Sequence, residues 1–352
     1  METTGPTIAD VQSAERVIRQ HLSPTPLVRS YALEKALRLG EDRRVWLKDF
    51  GWTPVGSFKV LGALNWLHNH AAEIGDRPVT AHSSGNFASG IAFAGQQYGK
   101  RVIIVMPESA PKVKFALTRS FGAEIRTYDI ATDHLTGVRD ALTQQIATEE
   151  GAVQASPYDD AYVIAGNGVG GLEVADELAR EHRTVSHFVS AVSGGGLMAG
   201  LALAIADRFP QATIVGVEPQ GADDFRQSLL ASQRIRVEHP KSICDGLLSY
   251  DVGQLNWPIL KRLVKRAVAV PDERTRAAIA WLYRHHGMRV EASGAITVAA
   301  ALDGLIDFSV AEDGAAEDGV AKEQVAEAKG DIVLVISGRN IDEDKFNEYI
   351  EA

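Results

Sequence analysis

The chain has 352 residues, 45% hydrophobic and 23% charged. That fits two compact domains or one large α/β unit and excludes a peptide-sized module, a fibre and a disordered chain. Thirty-six Lys plus Arg against 46 Asp plus Glu leave a formal charge of −10, which opposes non-specific attraction to nucleic acid or anionic lipid.

No apolar run reaches the roughly 18 residues that span a bilayer, and the first ten residues lack the basic and apolar segments of a secretory leader. The single cysteine, Cys244, is expected to be a packed thiol, since it has no companion for a disulfide or a thiolate metal site. A cytoplasmic enzyme acting on a small molecule, without a nucleic-acid or membrane partner, is the expectation.

In chain order, Thr7 with Asp10 three residues on predicts a capped opening helix. Short β-branched runs then alternate with helix-period stretches: the run at 44–48 precedes Phe58 to His68, 101–106 precedes Lys112 to Phe121, 188–192 precedes Leu197 to Ile205, and 212–218 precedes Ala222 to Leu230. This alternation predicts βαβ units and parallel sheet. Residues 81–154 hold several such units by themselves and are expected to form a small inserted domain, with 1–80 and 155–352 forming the larger one. Turn signals fall at Tyr98-Gly99-Lys100 and Phe121-Gly122-Ala123. The Ala-, Glu-, Asp- and Gly-rich stretch from Ala311 to Gly330 reads as a solvated loop or short acidic helix. No repeat of 20 to 50 residues is present, so a solenoid is excluded.

Four clusters carry chemistry. Gly56-Ser57-Phe58-Lys59 sets a lysine among small and apolar residues, where burial frees the amine for Schiff-base formation. Ser193-Gly194-Gly195-Gly196-Leu197 lies between a strand and a helix, where convergent N–H groups bind an anion. Ser83-Ser84-Gly85-Asn86 at another strand-to-helix junction suits a substrate carboxylate, and Ser337-Gly338-Arg339-Asn340 follows the last predicted strand. Gly166 to Gly171 matches G-x-G-x-x-G, yet no acidic residue follows about twenty positions on. A dinucleotide is therefore not expected, and the run reads as close helix packing or cofactor-side backbone.

In this order, together with Pro157-Tyr158-Asp159-Asp160, Val217-Glu218-Pro219 and Asp245-Gly246, the clusters resemble the fold-type II pyridoxal-phosphate enzymes of the serine/threonine dehydratase and serine racemase branch. The resemblance spans about Pro24 to Asp342. It implies a tryptophan synthase β-like α/β fold of two domains, with parallel-rich twisted sheets flanked by helices and the cofactor in the larger domain. By this resemblance Lys59 forms the Schiff base with pyridoxal phosphate, Phe58 packs beside the ring and Asn86 binds the ring oxygen. Gly194, Gly195, Gly196 and Leu197 hold the phosphate, and Ser337 faces the pyridine nitrogen. Ser83, Ser84, Gly85, Asn86 and Phe87 meet the substrate, with Ser84 also placed as a catalytic acid. Glu218, Ala222 and Asp224 match a loop that binds Mg²⁺, Ca²⁺ or Mn²⁺.

Four positions depart from the branch: Phe87 stands for a usual histidine, Leu61 for arginine, Ser193 for the first of four glycines and Arg339 for glycine. The chain ends shortly after Asp342, so isoleucine control through an added regulatory domain is not expected. The expected activity is β-elimination from a small 3-hydroxy amino acid, giving a 2-oxo acid and ammonia, by a homodimer. The alternatives are an amino-acid racemase, a 3-hydroxyaspartate or 3-phenylserine dehydratase, a diaminopropionate-type ammonia-lyase, and a cofactor- or amino-acid-sensing protein without activity.

Overall fold

The β-branched runs pair into two sheets in the computed structural model, which describes residues 5–83, 85–129, 137–308 and 330–351. The strands are β1 (Leu27–Arg29), β2 (Val45–Asp49), β3 (Val79–His82), β4 (Val102–Pro107), β5 (Glu124–Tyr128), β6 (Val153–Gln154), β7 (Val185–Ala191), β8 (Thr213–Pro219), β9 (Arg266–Val270) and β10 (Asp331–Ile336). One sheet has the order β1-β2-β10-β7-β8-β9 and the other β5-β4-β3-β6. Every pairing is parallel except β1 with β2. β2, β4, β7 and β10 are buried along their whole length, as expected of parallel strands covered on both faces.

The four-stranded sheet draws all its strands from residues 79–154. Helices Lys59–Ile74, Ala161–Arg180 and Gly196–Arg208 pack together beside the six-stranded sheet and share one apolar core with helix Asn86–Gln97 of the other layer. The opening helix, Ile8–Ile18, starts as its sequence predicts: Thr7 N donates to Asp10 Oδ2 at 2.7 Å. Gly166 to Gly171 lies inside helix Ala161–Arg180 rather than at a strand–helix turn. A Cβ added at Gly168 would stand 2.8 Å from the carbonyl oxygen of Gly200. The motif therefore serves close helix packing, the first of its two readings. The acidic stretch after Ala311 lies outside the described residues up to 329.

Chain reversals position the site. The sequence β7-β8-β9 builds to one side of β7 while β10 lies on the other, and β3-β4-β5 builds to one side of β3 while β6 lies on the other. Ligand crevices of open α/β sheets form at such reversals, beyond the carboxyl ends of the strands. The glycine loop follows β7, Ser337 follows β10 and Ser83 follows β3, so three of the four clusters sit at the two reversals. Lys59 arrives on the segment after β2, the neighbour of β10.

Candidate active site

Lys59 opens its helix, and its segment is stitched to the Ser337 loop: Phe58 N donates to Ser337 O at 3.1 Å, and Arg339 N donates to Gly56 O at 2.9 Å. Lys59 as a residue is half-buried, while its amine is densely surrounded. Nζ donates to the Pro157 carbonyl at 3.0 Å and lies 5.0 Å from the Phe58 ring centre and 5.8 Å from that of Phe87. Burial pulls its pKa down to about 8, so about a fifth of the amine is neutral near pH 7.4, far more than for an ordinary lysine. Phe87, expected beside the substrate, is 2% exposed and belongs to the apolar core, so its ring faces the lysine from below the surface.

Between β7 and its helix the backbone turns through Ser193 at φ +56° and Gly195 at φ +94°. Ser193 tolerates a left-handed conformation where glycine would be unstrained, and its Oγ lies 2.9 Å from Ser249 Oγ. A Cβ at Gly194 or at Gly196 would stand 2.6 Å from Tyr158, so this seat excludes side chains on two of its residues. The Gly194 carbonyl is turned away and held by Asn256 Nδ2 at 2.8 Å and Gly253 N at 3.0 Å. That leaves a bare stretch of backbone at the positive end of helix Gly196–Arg208, which Leu197 continues from a buried position.

On the facing layer, Gly85 N donates to Ser83 Oγ at 3.2 Å, and Asn86 begins helix Asn86–Gln97. Ser84 lies outside the described residues. Ser337 is 5% exposed, and its Oγ donates to the Ser293 carbonyl at 3.2 Å. Arg339 leaves the site: its guanidinium pairs with buried Asp49 and lies 5.9 Å from the ring centre of Trp52.

The sequence pattern of the family described as "Pyridoxal-phosphate dependent enzyme" matches residues 18–315. The chain belongs to this family. It is 31% identical over 345 residues to an L-threonine ammonia-lyase of Geobacter sulfurreducens, covering 97% of this chain and 77% of that one. It is 32% identical over 297 residues to an L-threo-3-hydroxyaspartate ammonia-lyase of Saccharomyces cerevisiae, covering 84% and 87%. The solved structure of maize serine racemase superposes with a TM-score of 0.84 at 28% identity over 99% of this chain and 97% of that one. The expected fold-type II architecture and the placement in the dehydratase and racemase branch both hold.

The residues of this pyridoxal-phosphate enzyme fit its cofactor. An amine with a lowered pKa suits an aldehyde, the bare backbone after β7 suits a phosphate, and neutral Ser337 follows β10, the strand between β2 and β7. The motifs missed a buried acid and a buried base beside them. Glu291 Oε1 accepts from Asn86 Nδ2 at 2.6 Å, and Lys114 Nζ lies 3.1 Å from Glu291 Oε2 and 2.6 Å from Asp245 Oδ2. Glu291 precedes a helix and reads as an ordinary cap, and Lys114 falls in a short run that reads as solvent-facing. Only the Asp245-Gly246 pair gave a signal there.

Glu218 on β8 and Asp224 at the start of helix Asp224–Ala231 are both fully buried. Glu218 accepts from Arg226 N at 2.8 Å and Phe225 N at 3.3 Å, while neither Asp224 carboxylate oxygen has a hydrogen-bond partner among the described residues. Burial and the mutual repulsion of the two carboxylates raise the Glu218 pKa, and burial pushes Asp224 up to about 7. Among the described residues no group of three or more His, Cys, Asp or Glu gathers, so the expected cation loop amounts to two carboxylates and the Ala222 backbone. Cys244 is fully buried and its thiol is pushed up to about 12 by burial, as a packed cysteine should be. No helix among the described residues is long and apolar enough to cross a membrane.

Proposed function

We propose that this enzyme eliminates the β-substituent, water, from a small 3-hydroxy amino acid and releases a 2-oxo acid and ammonia. The observation that carries the reading is the pairing of the enclosed Lys59 amine, with its pKa near 8, with a neutral hydroxyl at Ser337. When bound, pyridoxal phosphate supplies an electron sink that acidifies the α-carbon of the substrate. Lys59, neutral in useful proportion at pH 7 to 8, takes the α-proton. Gly194 to Leu197 hold the phosphate through backbone amides, Asn86 holds the ring oxygen, and the Ser83 to Gly85 backbone receives the substrate carboxylate. Phe58 and Phe87 keep water from the amine.

Ser337 is a weaker partner for a protonated pyridine than a carboxylate, so a long-lived carbanion is disfavoured. Prompt loss of the β-hydroxyl, which drains the charge as it forms, is favoured instead. Two threonine ammonia-lyases and a 3-hydroxyaspartate ammonia-lyase among the relatives support the class. Ser84 is carried over from the resemblance as a second acid, which would permit a racemising side reaction.

With this reading go a divalent cation, Mg²⁺, Ca²⁺ or Mn²⁺, held by Glu218, Asp224 and the Ala222 carbonyl, and a homodimer in the cytoplasm. The unpartnered, buried Asp224 carboxylate supports the cation. The domain division at residues 81 and 154 is proposed on the same footing. Incubating the holoenzyme with L-serine, L-threonine, 3-hydroxyaspartate and 3-phenylserine and following 2-oxo acid tests the activity. Release from at least one of them is expected, and D-amino acid forming faster than 2-oxo acid from all of them would replace elimination by racemisation.

A further inference from the structure

Lysines on short surface helices ordinarily carry the ammonium to water. Lys114 does not: its residue is 1% exposed, and its ammonium meets two carboxylates. Its helix, Lys112–Ser120, follows β4 of the four-stranded sheet, whereas Asp245 and Glu291 belong to segments packed on the six-stranded sheet. The same helix is gripped a second time. The amides of Lys112 and Val113 donate to the carboxylate of Asp342, beyond β10, at 3.0 and 2.8 Å. These contacts tie one end of the four-stranded layer to the other layer beside the cofactor seat.

Glu291 is the junction. Its Oε1 accepts from Asn86 Nδ2, and Asn86 Oδ1 accepts from Asn340 Nδ2 at 2.8 Å. Asn340 spends its other N–H on the Val55 carbonyl at 2.7 Å. The Asn86 amide is therefore oriented from both ends, and among the described residues one of its two N–H bonds has no partner. Among the described residues Lys114 reaches the cofactor seat through this chain and through Gly85, where an added Cβ would stand 3.5 Å from Nζ.

We propose that Lys114 is a positioning residue: by pairing with Glu291 across the two layers it fixes the Asn86 amide so that the free N–H meets the ring oxygen of the cofactor. The grip on the ring then depends on the seating of helix Lys112–Ser120, and this rests on the cofactor role given above to Asn86. A merely structural Lys114 would weaken the protein without regard to Asn86. Residues that act through one another lose additivity, which a double-mutant cycle reads directly.

Pyridoxal phosphate affinity and the fluorescence of the bound cofactor are measured on the full chain as parent, Lys114→Met, Asn86→Ala and the double variant. Lys114→Met and Asn86→Ala are each expected to weaken cofactor binding about tenfold, the double variant no more than about twofold beyond Asn86→Ala alone, and Lys114→Arg to recover most of the loss. Should Lys114→Met not accumulate as folded protein, Lys114→Gln, which keeps length and a donor but drops the charge, takes its place in the cycle. Additive losses, or a Lys114 variant with parental affinity and fluorescence, overturn the proposal while leaving the site reading intact. A parent protein that takes up no pyridoxal phosphate overturns both.

Discussion

Lys59 and Lys114 are enclosed lysines of the same region, driven in opposite directions. Burial alone acts on Lys59 and lowers its pKa to about 8. Burial is also the largest single influence on Lys114, but Glu291 and Asp245 together outweigh it and hold that ammonium well above its ordinary range. Burial thus sets the penalty on each lysine, and the countercharge decides whether the lysine becomes a base or a pin. An active-site amine must be left without a carboxylate, at a standing cost in stability, and the neighbouring pair shows what the fold does when it spends one.

The comparison breaks most completely at Lys59 itself. Lys59→Ala is expected to reduce 2-oxo acid formation to background and to remove the visible absorbance of the lysine-bound cofactor, because no other amine lies in that position; parental turnover would end the assignment. Stability should separate the two lysines next. In the cofactor-free protein, Lys114→Met strands two acids, one of them buried, and is expected to cost about 3 kcal/mol, whereas Lys59→Met removes an unpaired buried amine and is expected to be neutral or stabilising at pH 7. Denaturant unfolding of both variants gives the two values, and equal losses would remove the distinction.

The pH dependence carries the same contrast with a definite sign. Well below pH 8 Lys59 is protonated in folded and unfolded chains alike, and its full penalty is present. Between about 8 and 10.5 the unfolded chain binds a proton that the folded one has released, so stability rises with pH; above that window the penalty is gone. The difference in stability between cofactor-free parent and Lys59→Met should therefore shrink across this window, by at most about 3 kcal/mol. A difference that is flat from pH 7 to 11 would mean that the amine is not desolvated.

Sequence reasoning reached Lys59 and missed Lys114 for a physical reason. Lys59 stands beside glycine, serine and phenylalanine, and β7, β10 and β3 each end in small polar residues, so local composition reveals both the strand ends and the ligand loops. The alternation of β-branched runs and helical stretches likewise foretells the parallel sheets. Lys114 is buried by segments 131 and 177 residues away along the chain, and nothing in its own neighbourhood announces them. Gly166 to Gly171 shows the converse: a motif that looks like a ligand loop is helix packing, because glycines that admit a phosphate also admit a second helix at close range. Glu218 and Asp224 were legible as a spaced acidic pattern, but their burial and the unpartnered oxygens of Asp224 emerge only in three dimensions.

That acidic pair is a third kind of buried ionisable group here, two carboxyls that burial pushes toward the protonated form with no cation beside them among the described residues, and it should answer to one. Added Mg²⁺ or Ca²⁺ at a hundredfold excess over its dissociation constant is expected to stabilise the chelator-treated protein by about 2.7 kcal/mol, since a ligand of the folded state alone acts by mass action. Thermal unfolding with and without metal measures it, and Glu218→Ala should erase the response. An unchanged melting temperature across all added cations would leave the pair as two protonated, purely structural acids.

Phe87 gives the smallest expected effect and bears on what the Lys59 side of the comparison selects. Its ring centre lies 5.8 Å from the amine, at the position where the resemblance implies a histidine. An aromatic ring offers apolar surface and no directed hydrogen bond, so it favours substrates with an apolar or bulky group on the β-carbon over serine. Its burial limits the gain, because a ring that is 2% exposed offers little surface to a substrate. Phe87→His is therefore expected to shift the ratio of kcat/KM for 3-phenylserine over serine by about tenfold toward serine, the scale of a single apolar contact. The introduced imidazole also faces Lys59, and a neutral histidine adds no charge beside the amine, so the pH profile of the variant should keep its basic limb while the substrate order changes. Specificity constants for serine, threonine and 3-phenylserine in both proteins decide it: an unchanged ranking would mean that the ring packs the core beneath the amine without reading the β-substituent.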